Sequence, residues 1–215
     1  MSIGKTKLIF AFSIMLFNKT EPTFGQNSTE FGIKGGLNLT AISTTVPLPL
    51  AARNNFVSYH VGCYFLYKKN KIGIQPEVFF SGQGQHFYIY PYSSYQLRLN
   101  YVNVPVVIKY YLRKGLNIQA GPQFGYLVSG TGTNILLNTG QKNYVDLRKV
   151  VKSFDLSLGF GFGWDNLPFG LSFTARVNFG LININKSEGL FASFSPPYSY
   201  KVANQSIQFS LGYRL

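Results

Sequence analysis

Residues 154–181 read FDLSLGFGFGWDNLPFGLSFTARVNFGL, and on either side of a short break every second residue is large and apolar. Phe154, Leu156, Leu158, Phe160, Phe162 and Trp164 share one phase before the break. Phe169, Leu171, Phe173, Ala175, Val177, Phe179 and Leu181 share it after the break. The opposite phase holds Asp155, Ser157, Gly159, Gly161 and Gly163, then Gly170, Ser172, Thr174, Arg176, Asn178 and Gly180. Successive side chains of a strand point to opposite faces, so the pattern predicts a β-hairpin with one apolar face and one small, polar face. The fold turns on which face meets protein and which meets something else.

Composition narrows the choice. Of 215 residues only 13% are charged while 17% are aromatic, with 20 Phe and 15 Tyr. Soluble domains carry about 25% charged residues, so the surface of this chain is poor in charge. A helical membrane bundle does not fit, because no segment beyond residue 25 approaches the roughly 18 continuous apolar residues of a spanning helix. The net charge of +13 is scattered, Lys68, Lys69 and Lys71 being its densest run, and no nucleic-acid motif surrounds it. It points to anionic lipid head groups rather than to nucleic acid. A single cysteine, Cys63, excludes an intrachain disulfide and reads as a small hydrophobe on an apolar strand phase.

Near the start, Lys5 and Lys7 precede the apolar run Leu8–Phe17, and the small residues Thr23 and Gly25 follow a polar stretch. That order predicts a secretory signal peptide over residues 1–25 and an exported domain over residues 26–215. Eight alternating segments follow: Phe31–Ile42, Phe56–Lys68, Ile72–Gln83, Leu97–Leu112, Leu116–Val128, Phe154–Trp164, Phe169–Leu181 and Val202–Leu215. The fourth slips phase near Tyr101, which predicts a β-bulge there. Links alternate between tight (Lys69–Lys71, Arg113–Gly115, Asp165–Pro168) and long (Ser43–Asn55, Gly84–Gln96, Ser129–Lys152, Ile182–Lys201). Such a meander predicts an all-β fold, an eight-stranded antiparallel up-and-down transmembrane β-barrel with short turns at the periplasm and long loops outside.

Volume settles the direction of the apolar face. An eight-stranded barrel has an interior only wide enough for side chains or one small ligand, and the large phase of eight strands would overfill it. The Gly, Ser, Asn, Gln and Thr phase fits. Lys34, Glu77, Lys109, Asp155, Arg176 and Arg214 all lie on that small phase. Glu77 and Asp155 against Lys109, Arg176 and Arg214 form a candidate lumen charge network. Aromatics near strand ends (Tyr59, Tyr67, Tyr110, Tyr111, Trp164, Phe169, Tyr213) read as interfacial girdles.

Three segments carry a resemblance: FGIKGGLNLT (31–40), YVNVPVVIKYYL (101–112) and GLNIQAGPQFGYLVSG (115–130). In this order they resemble the PorT-like outer-membrane β-barrel family of Bacteroidota, with its G-x-K-G-G-x-N, I/V-P-x-x-x-K-Y and A-G-P-x-x-G-Y strands. The export signal ending TFGQ (23–26) is similar to that group's signals. The C-terminal IQFSLGYRL (207–215) resembles a barrel insertion signal but ends on Leu215 rather than an aromatic. The resemblance implies an integral outer-membrane barrel in contact with membrane lipids and lipopolysaccharide, with the barrel-assembly machinery during insertion, and with other envelope proteins. It also offers an alternative role, a subunit of type IX secretion or gliding machinery.

Catalytic chemistry finds little support. Barrel enzymes that modify lipids need a nucleophile with a base, and the two histidines, His60 on the polar phase and His86 at a strand end, have only Ser58 and Ser81 nearby in sequence, with no nucleophile signature. Two His and one Cys without ligand spacing make no metal site. GFGFG at 159–163 lies inside a strand and is no phosphate cradle. The sequence therefore predicts a non-catalytic barrel without cofactor or metal, structural or surface-binding through its long loops, ahead of a lipid-modifying enzyme or a small porin.

Overall fold

The computed structural model describes residues 27–44, 51–89, 93–186 and 201–215. The expected signal peptide and most of the last long link lie outside the described residues. Among the described residues nine strands are formed: β1 Ser28–Thr44, β2 Ala51–Lys69, β3 Ile72–Ile89, β4 Ser93–Tyr111, β5 Leu116–Leu136, β6 Lys142–Asp146, β7 Phe154–Trp164, β8 Leu171–Gly180 and β9 Val202–Arg214. They make one antiparallel up-and-down sheet in the order β4-β3-β2-β1-β9-β8-β7-β5-β6, and β4 also pairs with β5. Each of the eight long strands thus has a hydrogen-bonded neighbour on both sides. β6 hangs on one stretch only, Thr131–Ile135 of β5.

Nine strands stand where the side-chain pattern predicts eight, and β2 to β5 outrun their predicted ends. The cause is that a β-ladder is made by the backbone. Ser93–Asn100 of β4 pairs with Ser129–Leu136 of β5 through Thr, Gly and Asn positions that carry no apolar alternation. β6 likewise lies in the predicted link 129–152. The predicted seventh strand starts two residues late, because Asn166 and Phe169 adopt left-handed φ values of 69° and 63° and end the ladder in a tight turn.

The two faces are inverted relative to a soluble domain. Phe160, Phe162 and Trp164 are about half exposed, whereas Asp155, Ser157, Arg176 and Asn178 are each 5% exposed or less. All three short turns and the outer ends of β1 and β9 fall at one end of the sheet, as the Ser28↔Lys68 and Gly32↔Arg214 pairings require.

The register break expected on the fourth strand is real but sits opposite it. Asn100 pairs with Ser129 and Tyr101 with Leu127, so the extra residue is Val128 of β5. β4 itself keeps every odd position inward. What changes near Tyr101 is residue type, so Leu97, Leu99 and Tyr101 enter the interior and are nearly fully buried. With Ile42, Phe87, Leu127, Leu147, Val151, Ile184 and Val202 they form an apolar plug at the long-link end. A 3-10 turn at Leu147–Lys149, capped by the Asp146 side chain accepting from the Arg148 N–H, tips Leu147 into that plug.

Some inner-face positions have no room for a side chain at all. A Cβ on Gly36 of β1 would collide with the Phe209 carbonyl of β9. Gly36→Val therefore costs about 3 kcal/mol or more. The expected outcome is loss of heat-shifted gel mobility and of sedimentation with outer membranes, compared with the parent chain.

Candidate functional site

The densest chemistry in the molecule lies on its inner face. Alternation on β1, β3 and β8 sends Lys34, Glu77 and Arg176 inward, where all three are buried. Glu77 Oε1 accepts from Lys34 Nζ at 3.0 Å, Gln75 Nε2 at 2.7 Å and Arg176 Nη2 at 2.9 Å; Oε2 accepts from Arg176 Nη1 at 3.2 Å. Arg176 Nη2 also donates to Gln119 Oε1 on β5 at 3.2 Å. One carboxylate thus gathers four strands. A forked Arg–carboxylate pair fixes orientation as well as charge.

The structure divides the candidate charge set. Glu77 and Arg176 meet, joined by Lys34. Lys109 turns instead toward the short-turn end, where its Nζ donates to both Asp165 oxygens at 3.2 and 2.9 Å, and Tyr111 Oη donates to Asp165 Oδ2 at 2.7 Å. Tyr111 is therefore an interior residue and not part of the girdle, since Tyr110 already takes the outward position beside it. Asp155 accepts from Asn204 Nδ2 at 2.8 Å, with Tyr101 Oη accepting from the same amide at 3.3 Å. Arg214 sits on the rim and pairs with Glu30 at 3.3 Å. At the long-link end, outside the hydrocarbon belt, hydrogen bonds from Arg148 hold the Asp146 carboxyl down at about 2.

Sequence reasoning missed a second constellation. His60 Nε2 lies 2.8 Å from Ser210 Oγ, and its Nδ1 lies 2.7 Å from Asn38 Oδ1. The connectivity is that of a nucleophile, base and orienting amide. Access is what it lacks: Ser210 is 4% exposed, His60 3% and Asn38 fully buried. The expected partners of His60 are elsewhere. Ser58 Oγ donates to the Gly82 carbonyl at 2.6 Å and Ser81 accepts from Asn38, while His86 stacks on Phe56. Only register brings His60 to Ser210. Both pair with Gly36, which has no side chain to keep them apart.

Around the charged groups the interior is filled by Asn103, Asn117, Gln119, Gln123, Asn178 and Gln208, all buried. A cavity at the short-turn mouth, bounded by Glu30, Tyr64, Lys109, Asp165 and Arg214, measures only about 20 Å³. That is room for roughly one water.

Removing one member of a buried pair costs far more than removing a carboxylate that has no cation beside it. Glu77→Gln strands Lys34 and Arg176 and is expected to cost about 3–5 kcal/mol, whereas Asp155→Asn is expected to change stability by about 1 kcal/mol or less. Urea titration in lipid vesicles, followed by the fluorescence of the single tryptophan, Trp164, ranks the two. Equal costs would show that the interior is held by packing and not by the Glu77 cluster.

A family model described as "Outer membrane protein beta-barrel domain" matches residues 21–186, about three-quarters of the chain. The chain belongs to that family. No curated protein matches it by sequence. Among solved structures it is similar to neisserial surface protein A (NspA), with 9% identity, a TM-score of 0.50, and coverage of 87% of this chain and 99% of that one. It is also similar to Ail, the attachment invasion locus protein of Yersinia pestis, with 14% identity, a TM-score of 0.48 and the same coverages. A third is OprG of Pseudomonas aeruginosa, with 13% identity, a TM-score of 0.44, and coverage of 90% and 99%. The likeness to NspA is one of fold.

Proposed function

We propose that this member of the outer-membrane β-barrel family is a closed eight-stranded barrel with a sealed interior, acting without catalysis as a structural or surface-binding protein through its long loops. In this reading residues 1–25 direct export and residues 26–215 insert, in contact with membrane lipids and lipopolysaccharide. One observation carries it: the apolar face is outward while the inward face is filled from end to end. The layers are the plug around Leu99 and Val151, the Asn/Gln/Ser layer, the Glu77 cluster, and the Lys109–Asp165–Tyr111 contact. Among these charges, Glu77 with Lys34 and Arg176 acts as a rivet rather than as a ligand site.

A filled interior has two expected consequences. Purified protein in planar bilayers leaves the current at baseline, and a stable ohmic step would overturn the sealed reading. On intact cells, added protease cuts within residues 137–146, where Tyr144 and Val145 are exposed. The turn at 113–115 is cut only after the outer membrane is permeabilised. The non-catalytic reading has its own check: His60→Gln and Ser210→Ala leave cellular phospholipid and lipid A profiles unchanged and each costs about 1 kcal/mol.

The secretion or gliding role rests on the three PorT-like segments. Their distinctive residues are already engaged inside the barrel, Lys34 with Glu77, Lys109 with Asp165, and Gly36 and Gly121 in close strand approaches. Interior packing accounts for those residues, which favours the structural reading. Co-purification of other envelope proteins with the tagged chain would reverse that preference.

A further inference from the structure

Among the described residues β6 alone has a strand neighbour on one side only. It pairs with Thr131–Ile135 of β5. Just past that ladder the Leu136 N–H donates to the Gln141 carbonyl at 3.0 Å, which fixes the phase of the backbone. Opposed residues of an antiparallel pair exchange hydrogen bonds at every second position. Gln141, Asn143 and Val145 therefore turn their backbone groups toward β5, while Lys142, Tyr144 and Asp146 turn theirs away from it. Tyr144 and Val145 are 69% and 56% exposed, and alternation puts them on opposite faces of the strand. Outward N–H and C=O groups flanked by exposed apolar side chains are a template for another strand.

Charge selects which strand fits. Asp146 is the one carboxylate of β6, and Arg148 holds both of its oxygens through Nε and Nη2 at 2.8 to 3.2 Å. That pair neutralises itself. Lys142 at one end of the strand and Lys149 just past the other are exposed, with no hydrogen-bond or ion-pair partner among the described residues. Lys149 acts only through its field at the Asp146 carboxyl, which Arg148 already occupies. A lysine on an edge strand keeps neutral and basic strands from adding to it. A second copy of β6 laid antiparallel would bring Lys142 to an Asp146 already held by Arg148, with Lys149 alongside, so two copies repel. The complementary strand has a carboxylate at each end. Between them it has β-branched or aromatic residues, which meet Tyr144 and Val145 on the two faces.

We propose that the outer edge of β6 docks an extended acidic segment of another protein, which adds as a further antiparallel strand along Lys142–Asp146. This names the partner class of the surface-binding role given above and rests on the long links facing outward. The probe is the end-blocked, fluorescently labelled peptide Thr-Glu-Val-Tyr-Val-Glu-Thr, read by anisotropy with the full-length exported protein in detergent. In register its Tyr opposes Tyr144, its Glu and Tyr amides face β6, and its Val amides face away. N-methylation of the Tyr amide weakens binding by about tenfold or more, whereas N-methylation of one Val amide changes it less than about twofold. Equal effects overturn strand addition. Lys in place of both Glu weakens binding by about tenfold or more, and equal binding of that peptide overturns the charge selection. Tyr144→Pro removes an N–H that faces away from β5, so heat-shifted mobility stays as in the parent while peptide binding is lost. Retained binding overturns the edge, and if this variant does not fold the N-methylated peptides carry the test on the parent. A peptide-free dimer that Tyr144→Pro dissolves makes a second copy the occupant and overturns the acidic partner. Intact cells separate the docking site from the orientation it rests on. Binding to purified protein but not to cells overturns the outward orientation. Binding to neither, with the heat shift intact, overturns the docking site alone.

Discussion

The contact on which the rest of the molecule depends is the Glu77 carboxylate with Lys34 and Arg176. These groups come from β3, β1 and β8, and Gln119 of β5 joins through Arg176. Three strands spaced around the sheet meet at one carboxylate, and a fourth at its arginine, only if the sheet curls so that its polar face turns inward. In a hydrocarbon surround every backbone donor and acceptor must be paired, and the strand pairings meet that demand for the outer wall. Inside, the same low dielectric makes an unpaired charge costly, so the rivet and the ladder are two answers to one constraint.

Glycine is what lets the rivet close. Gly161 of β7 pairs with Gln119 on one side and Arg176 on the other, and those two side chains bond across it. A Cβ on Gly161 would collide with the Ala175 carbonyl. Gly36 does the same for His60 and Ser210. The glycines of the 154–181 hairpin are therefore more than room in a narrow interior. Gly161 and Gly163 each sit between polar residues on flanking strands, Gln119 and Arg176 for the first and Asn117 and Thr174 for the second, and set how closely they approach.

Where alternation is strict the strands were legible, because alternation reports burial directly: Phe154 through Trp164 form the strand that their pattern predicts. Which charge meets which was not. Lys109 and Arg176 read alike in sequence, yet register sends one to Asp165 in a turn and the other to Glu77. Asp165 was read as part of a tight turn, and nothing local marks it as an interior partner. Leu97 and Leu99 carry the same apolar signature as the outward Val102 and Val104, so the plug was hidden behind an apparent phase slip. β6 left no trace because Lys142–Asp146 is held by backbone bonds without a buried side-chain row.

The interior also explains the odd charge of the chain. Among the described residues the buried charged groups are Lys34, Lys109 and Arg176 with Glu77, Asp155 and Asp165, three cations and three formal anions that sum to zero. An enclosed space of low dielectric penalises any net charge, so neutrality there is the expected result. The apolar outer wall tolerates none. The excess cations among the described residues are therefore left to the two rims, Lys69, Lys71, Arg113 and Lys114 at one and Lys142, Arg148, Lys149 and Lys186 at the other, where water and anionic head groups meet the protein. A composition that first suggests a polyanion partner is what remains when a barrel excludes charge from its wall and balances it inside.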